Sequence, residues 1–177
     1  MALRQPYPVG DLDNGALVQV TKLPAIQNAY YAQASIVRPD NTTAYAANDV
    51  VGGLYHFHHV GPRGEAVYIT DLTLRVDVAS VPAGMSYFTL YLYNEPPVAY
   101  ADNAAWDLTS VDRTRLVRSI IIPAPVDVGS TLYIESSGIN RMAKLTSDDL
   151  FGYLVTSAAY TPTALAAKTI EMYTVVA

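Results

Sequence analysis

The chain has 177 residues, enough for one domain with a hydrophobic core of its own. Hydrophobic residues make up 51% and charged residues 15%, with a formal net charge of −5, which excludes a disordered chain and a protein that binds nucleic acid through a dense basic patch. The absence of Cys excludes disulfides, thiolate catalysis and Cys-ligated zinc.

The N-terminal segment 1–15 carries apolar residues and prolines with little alternation, which predicts an extended arm that docks on a neighbouring molecule. A frayed terminus is the alternative. The segment lacks the apolar centre of a secretory signal, and no run approaches the roughly 20 apolar residues of a spanning helix, so we expect no membrane partner. The predicted anchors of the arm are Leu3, Pro6, Tyr7 and Leu12.

Residues 16–177 are predicted to form a single β-sandwich domain. Apolar and polar residues alternate with a period of two in short segments, and Gly, Pro, Asn and Asp mark the turns between them. Eight or more short strands in this pattern are typical of an antiparallel β-sandwich or a barrel. In segment 68–78 the even-numbered residues are predicted to face the core. The predicted strands are 16–20, 31–38, 54–60, 68–78, 86–94, 115–122, 131–136, 151–157 and 169–176.

All the histidines of the chain lie in the predicted strand 54–60. His56 and His58 share one face of this strand, roughly 7 Å apart by the strand rise, and His59 lies on the other face. Two imidazoles at this spacing can bind zinc, but a zinc site needs a third ligand, and the sequence marks none. We therefore interpret the segment as a half-exposed aromatic strand and expect no stoichiometric metal ion.

Segment 86–94 sorts its residues by face. Phe88, Leu90 and Leu92 are predicted to point into the core, while Tyr87, Tyr91 and Tyr93 point to the opposite side. A small protein seldom leaves such a tyrosine patch bare, and tyrosine suits a subunit interface because its ring is apolar and its hydroxyl is polar. The three tyrosines are therefore predicted to face another copy of the chain in a cyclic oligomer, a trimer. Cover by a loop or an extra strand of the same chain is the alternative.

The sequence contains no catalytic signature of the GxSxG, Walker, GxGxxG or HExxH type. Asp148 and Asp149 are adjacent carboxylates, a pattern that more often stabilises the start of a helical turn than takes part in catalysis. The protein is therefore predicted not to be an enzyme and to need no cofactor.

Three segments carry a resemblance to a known family. They are PDNTTAYAANDVVGG (39–53), YLYNEPPVAYADNAAWDLTSVDRTRLVRSI (91–120) and LFGYLVTSAAYTPTA (150–164). In order and spacing they resemble the head decoration proteins, or cement proteins, of tailed bacteriophages and prophages. The resemblance extends from about Ile36 to the C-terminus and does not include the predicted arm.

The resemblance implies a jelly-roll-like sandwich, commonly trimeric, that sits outside the capsid over contacts between capsid subunits. The implied partners are the major capsid protein and further copies of the chain. The implied location is the virion exterior, after assembly in the host cytoplasm. The arm 1–15, predicted from its own residues, would then contact the capsid. One alternative is a glycan-binding module for receptor recognition or a fibre tip, because tyrosine-rich sheet faces bind sugars. Another is a metal-dependent enzyme on a cupin-like jelly roll that uses His56 and His58.

Overall fold

The computed structural model describes residues 28–177, so the predicted arm with Leu3, Pro6, Tyr7 and Leu12, and the predicted strand 16–20, lie outside the described residues. Residues 28–177 form ten strands in two antiparallel sheets, which confirms the predicted all-β sandwich. The strands are β1 (Ala29–Val37), β2 (Val50–Phe57), β3 (Ala66–Val76), β4 (Phe88–Tyr93), β5 (Leu116–Ile122), β6 (Val126–Asp127), β7 (Leu132–Ser136), β8 (Arg141–Lys144), β9 (Leu150–Thr156) and β10 (Ala167–Val176).

The strands pair in a nested order. β1 pairs with β10, β2 with β9, β3 with β7 and β8, and β4 with β5, each time antiparallel. The described chain therefore behaves as one long hairpin that is wrapped so that its strand pairs alternate between two sheets. The first sheet has the order β1-β10-β3-β7-β6, with β8 also on β3, and the second has the order β2-β9-β4-β5. This double-sheet arrangement is that of a jelly roll.

The main core lies between the two sheets and is built from the inward residues of every long strand. Phe88, Leu90 and Leu92 of β4 are at most 1% exposed, as the alternation in segment 86–94 predicts. Gly152 of β9 sits opposite them, and a side chain there would meet Leu90 and Leu92 at 3.1 and 3.2 Å. Among residues 28–177, no helix is long and apolar enough to cross a membrane.

The prediction for segment 68–78 is wrong in its first half. Ile69 is fully buried, whereas Tyr68 is 40% exposed. The pairing of β3 with β10 shifts here, because Asp71 pairs with Tyr173 and Ile69 pairs with Thr174, which leaves Thr70 as the extra residue of a β-bulge. A bulge exchanges the inward and outward positions of a strand. The even-numbered residues therefore face the core only after the bulge, and not before it.

Two short strands and one strand start were not predicted. β6 and β8 are too short to show a period of two, and β8 buries only Ala143. β2 begins at Val50 rather than residue 54, and its pairing with β9 is irregular between Val50 and Leu54. Gly52 and Gly53 lie in that stretch with φ of 94° and 127°, values that other residues rarely adopt. Because glycine has no side chain, this half of β2 shows no alternation of apolar and polar residues, and the sequence pattern did not predict it.

Candidate interaction surfaces

The three segments that carry the family resemblance meet at one end of the sandwich. The backbone N–H of Tyr45 donates to the carbonyl of Tyr160 at 2.9 Å, and their rings lie 5.0 Å apart. The N–H of Trp106 donates to the carbonyl of Asn48 at 2.9 Å. The first segment therefore joins the other two through backbone pairing, although the three are far apart in sequence.

A buried ion pair lies at the centre of this meeting point. The Arg38 side chain is fully buried, and its Nε lies 3.3 Å from Oδ2 of Asp102. The Tyr45 hydroxyl and the Gly52 N–H both donate to Oδ1 of Asp102, the latter at 2.7 Å. Arg38 also donates to the carbonyls of Asn41 and Thr43. We call Arg38, Tyr45 and Asp102 the buried junction, and its contacts give these residues a structural role within the chain.

Burial changes the pKa of the tyrosine in the buried junction. It raises the pKa of the Tyr45 hydroxyl far above its ordinary value, and the hydrogen bond to Asp102 adds to this effect. Tyr45 is therefore a neutral donor at every physiological pH. The carboxylate of Asp102 receives a charged partner and two neutral donors, which is the condition under which a buried charge is tolerated.

The outward tyrosines of β4 are covered by the loop 94–115 of the same chain. Tyr93 is 1% exposed, and the Trp106 indole N–H donates to its hydroxyl at 3.3 Å. Tyr91 stacks on the Trp106 ring with centroids 3.8 Å apart and planes 13° apart. Tyr100 of the loop packs edge-on against Tyr153 of β9 at 5.5 Å. We call Tyr91, Tyr93, Tyr100, Trp106 and Tyr153 the aromatic cap.

The aromatic cap covers two of the three tyrosines that were predicted to face another copy of the chain. Tyr93 lies inside the fold and Tyr91 is partly buried, as the alternative of cover by a loop predicts. Tyr87 alone stays uncovered, at 46% exposure. Near it on the same outer face is Ile121, 65% exposed, which pairs with Thr89 across β4 and β5. Among residues 28–177, the outer face of this sheet is therefore exposed at the end that carries Tyr87 and Ile121.

The three histidines lie next to Asp148 and Asp149, which are far from them in sequence. His56 Nε2 is 2.7 Å and His58 Nδ1 is 3.4 Å from Oδ2 of Asp149, and His59 Nδ1 is 2.5 Å from Oδ2 of Asp148. Burial raises the pKa of Asp149, but the donated N–H of His59 and the contact with His56 outweigh it, so the pKa of this carboxyl is lowered. We call these five residues the histidine cluster. It supplies the third-ligand candidates that the sequence did not mark.

The outer face of the first sheet carries tyrosines beside charged groups. Tyr31 and Tyr173 have ring centroids 5.2 Å apart, and the Tyr31 hydroxyl donates to Glu171 at 3.1 Å. Glu171 also pairs with Arg75, whose guanidinium lies 5.8 Å from the Tyr133 ring centroid. We call these residues the tyrosine–carboxylate face, and all of them except Tyr31 border a shallow cavity of about 270 Å³. Sequence reasoning missed the face because its tyrosines come from three separate strands, although each occupies an outward position.

No known family profile matches the chain, and no curated protein matches it. Among solved structures, the chain is similar to a chain of the capsid of Ralstonia phage GP4, with 17% identity, a TM-score of 0.45, and coverage of 89% of this chain and 90% of that one. It is also similar to a chain of the cyanophage Pam1 capsid asymmetric unit, with 10% identity, a TM-score of 0.39, and coverage of 97% and 100%. At such identities and TM-scores, these likenesses transfer no function to this chain.

Proposed function

We propose that the protein is a structural component of a bacteriophage virion that decorates the outside of the capsid and stabilises contacts between capsid subunits. The observation that carries the proposal is the convergence of the three family-like segments on the buried junction of a jelly roll. The three segments that resemble decoration proteins contact one another at one end of the fold. The residues that carry the resemblance therefore form one connected part of the structure. The proposed role needs no catalysis.

The partners follow from this role. The major capsid protein is the proposed target, reached through the arm 1–15 with its anchors Leu3, Pro6, Tyr7 and Leu12. The second proposed partner is the chain itself in a homotrimer. The proposed location is the exterior of the virion, after assembly in the host cytoplasm.

A particle-binding assay tests the role and the arm together. We expect the full chain to co-sediment with undecorated capsids, and a variant without residues 1–15 to keep its melting temperature while it loses this binding, because an extended arm adds anchors for a partner but no strand to the sheets. Density for the protein on the capsid surface in particle images is the direct measurement. Full occupancy by the shortened chain would refute the arm, and absence of the full chain from the particle surface would refute the decoration role.

The trimer is tested at Tyr87, since replacing Tyr93 would disturb the fold itself. We expect the wild type to scatter light as a trimer and Tyr87→Arg to be a folded monomer, because an arginine at the uncovered end of the second sheet adds charge to an apolar contact. Tyr68→Arg is the matched control, since Tyr68 is 40% exposed on the other sheet, and it should remain trimeric. A monomeric wild type, or a trimeric Tyr87→Arg, contradicts the proposed interface.

A glycan-binding module for receptor recognition or a fibre tip is the second candidate, and the tyrosine–carboxylate face favours it. Tyr31, Tyr133 and Tyr173 offer ring faces for a sugar, and Glu171 and Arg75 offer polar partners beside them. The two functions differ in copy number. A decoration protein covers the shell in many copies, whereas a fibre-tip module is present in few, so quantitative gel analysis of purified particles separates them.

A further inference from the structure

The sequence alone predicts no stoichiometric metal ion, but the folded chain adds a third ligand. We propose that His56, His58 and Asp149 bind one divalent transition-metal ion of the zinc type, which ties the end of β2 to the start of β9. The fold itself creates the site. Phe57 pairs with Leu150 in the last rung of the antiparallel β2–β9 ladder, so the residues after Phe57 lie beside the residues before Leu150. His58 and Asp149 are those neighbours, and His56 reaches the same carboxylate from within β2.

The three ligand atoms already converge. Asp149 Oδ2 lies 2.7 Å from His56 Nε2 and 3.4 Å from His58 Nδ1, and all three atoms lie within 4.8 Å of one another. Tetrahedral zinc with bonds of about 2.0–2.2 Å holds its ligands roughly 3.4 Å apart. Small side-chain rotations therefore suffice to place all three atoms on one ion.

Neighbouring groups hold the ligands in place. The backbone N–H of His59 donates to Oδ1 of Asp149 at 3.0 Å, which leaves Oδ2 facing the two imidazoles. His59 adopts a left-handed φ of 55° there, a conformation that few residues other than glycine adopt. The His56 ring stacks on Phe151 with centroids 4.3 Å apart. Such contacts fix ring orientation and carboxylate direction, as outer-shell partners do in metal sites.

The donor set selects the class of ion. Two imidazole nitrogens and one carboxylate suit zinc and its neighbours in the transition series, whereas calcium and magnesium prefer oxygen ligands alone. The side chains of His56, His58 and Asp149 are 36%, 61% and 19% exposed, so the ion lies at the surface with a coordination position open to water. His59 and Asp148 form a second group with Asp149 and are the competing ligand set.

The test is calorimetric titration of the full chain, stripped of metal with EDTA, using zinc chloride and then magnesium chloride. We expect one zinc per chain, a higher melting temperature with zinc, and no saturable binding of magnesium. His58→Ala should weaken zinc binding at least about tenfold, since it removes a ligand from an exposed position with little effect on folding. Asp148→Asn is the matched control and should bind zinc as the wild type does, because Asp148 supplies no atom to the proposed site and belongs only to the competing ligand set.

Three results would overturn the proposal. Zinc binding that does not saturate would leave only weak association with surface carboxylates. Unchanged affinity in His58→Ala would remove this residue from the site. Loss of binding in Asp148→Asn with retention in His58→Ala would assign the ion to His59 and Asp148.

Discussion

Asp102→Ala is expected to lower the free energy of unfolding by about 3–5 kcal/mol, because it leaves the buried charge of Arg38 without its counter-charge. The Tyr45 hydroxyl and the Gly52 N–H also lose their acceptor, which adds to the cost. Urea unfolding at neutral pH, followed by tryptophan fluorescence, measures the change.

Asp40→Ala is the matched control for this substitution. Asp40 lies in the loop that follows Arg38 and is exposed, and no described hydrogen bond or ion pair within residues 28–177 involves its side chain. Its replacement should change the unfolding free energy by no more than about 0.5 kcal/mol. If Asp102→Ala is as stable as Asp40→Ala, the buried junction does not hold the loops together.

Lys168→Met is expected to change stability in the opposite direction. Lys168 is 2% exposed in β10, and its Nζ has no hydrogen-bond partner among residues 28–177. Burial lowers the pKa of Lys168 to about 8; the charge of Asp102 acts against this, and that of Arg38 adds to it. Since one pKa unit corresponds to 1.36 kcal/mol, holding this charge inside the protein at pH 7 costs on the order of 3 kcal/mol. A methionine of similar length removes the charge and fills the same space.

The pH dependence of the same pair of proteins gives a sharper test. The pKa of Lys168 is lower in the folded chain than in the unfolded one, so the unfolded chain binds more protons between about pH 8 and 10.5. The wild type should therefore gain stability relative to Lys168→Met as the pH rises from 7 to 9.5, and the advantage of the variant should shrink. Lys144→Met, at an exposed position of β8, controls for the loss of one lysine charge. A constant difference between wild type and Lys168→Met would mean that Lys168 titrates normally.

The sequence predicts those parts of the fold in which the local pattern and the tertiary contacts agree. Phe88, Leu90 and Leu92 alternate without interruption, and all three enter the core. The pattern fails in β3, because the bulge at Thr70 depends on the partner strand β10 and not on β3 itself. It also fails in β2, because Gly52 and Gly53 have no side chains and so show no alternation of apolar and polar residues.

The candidate sites were harder to predict than the fold, because their residues are far apart in sequence. The polarity of Tyr91 and Tyr93 indicates that they need cover, but only the folded loop shows that Trp106 provides it. The histidines were visible in the sequence, yet Asp149 becomes their neighbour only through the pairing of β2 with β9. Local composition therefore indicated which residues needed partners, and the nested strand order determined what those partners were.

The nested pairing also sets the order of events on the ribosome. β10 lies between β1 and β3 in the first sheet, so that sheet cannot close until residues 167–176 have been synthesised. Until then β1 lacks its described partner, and β3 is paired only on the side of β7 and β8, while pairings over such long sequence separations form slowly. The nascent chain is consequently exposed to aggregation for most of its synthesis. Molecular chaperones that cover exposed strand edges are therefore expected to raise the yield of this protein.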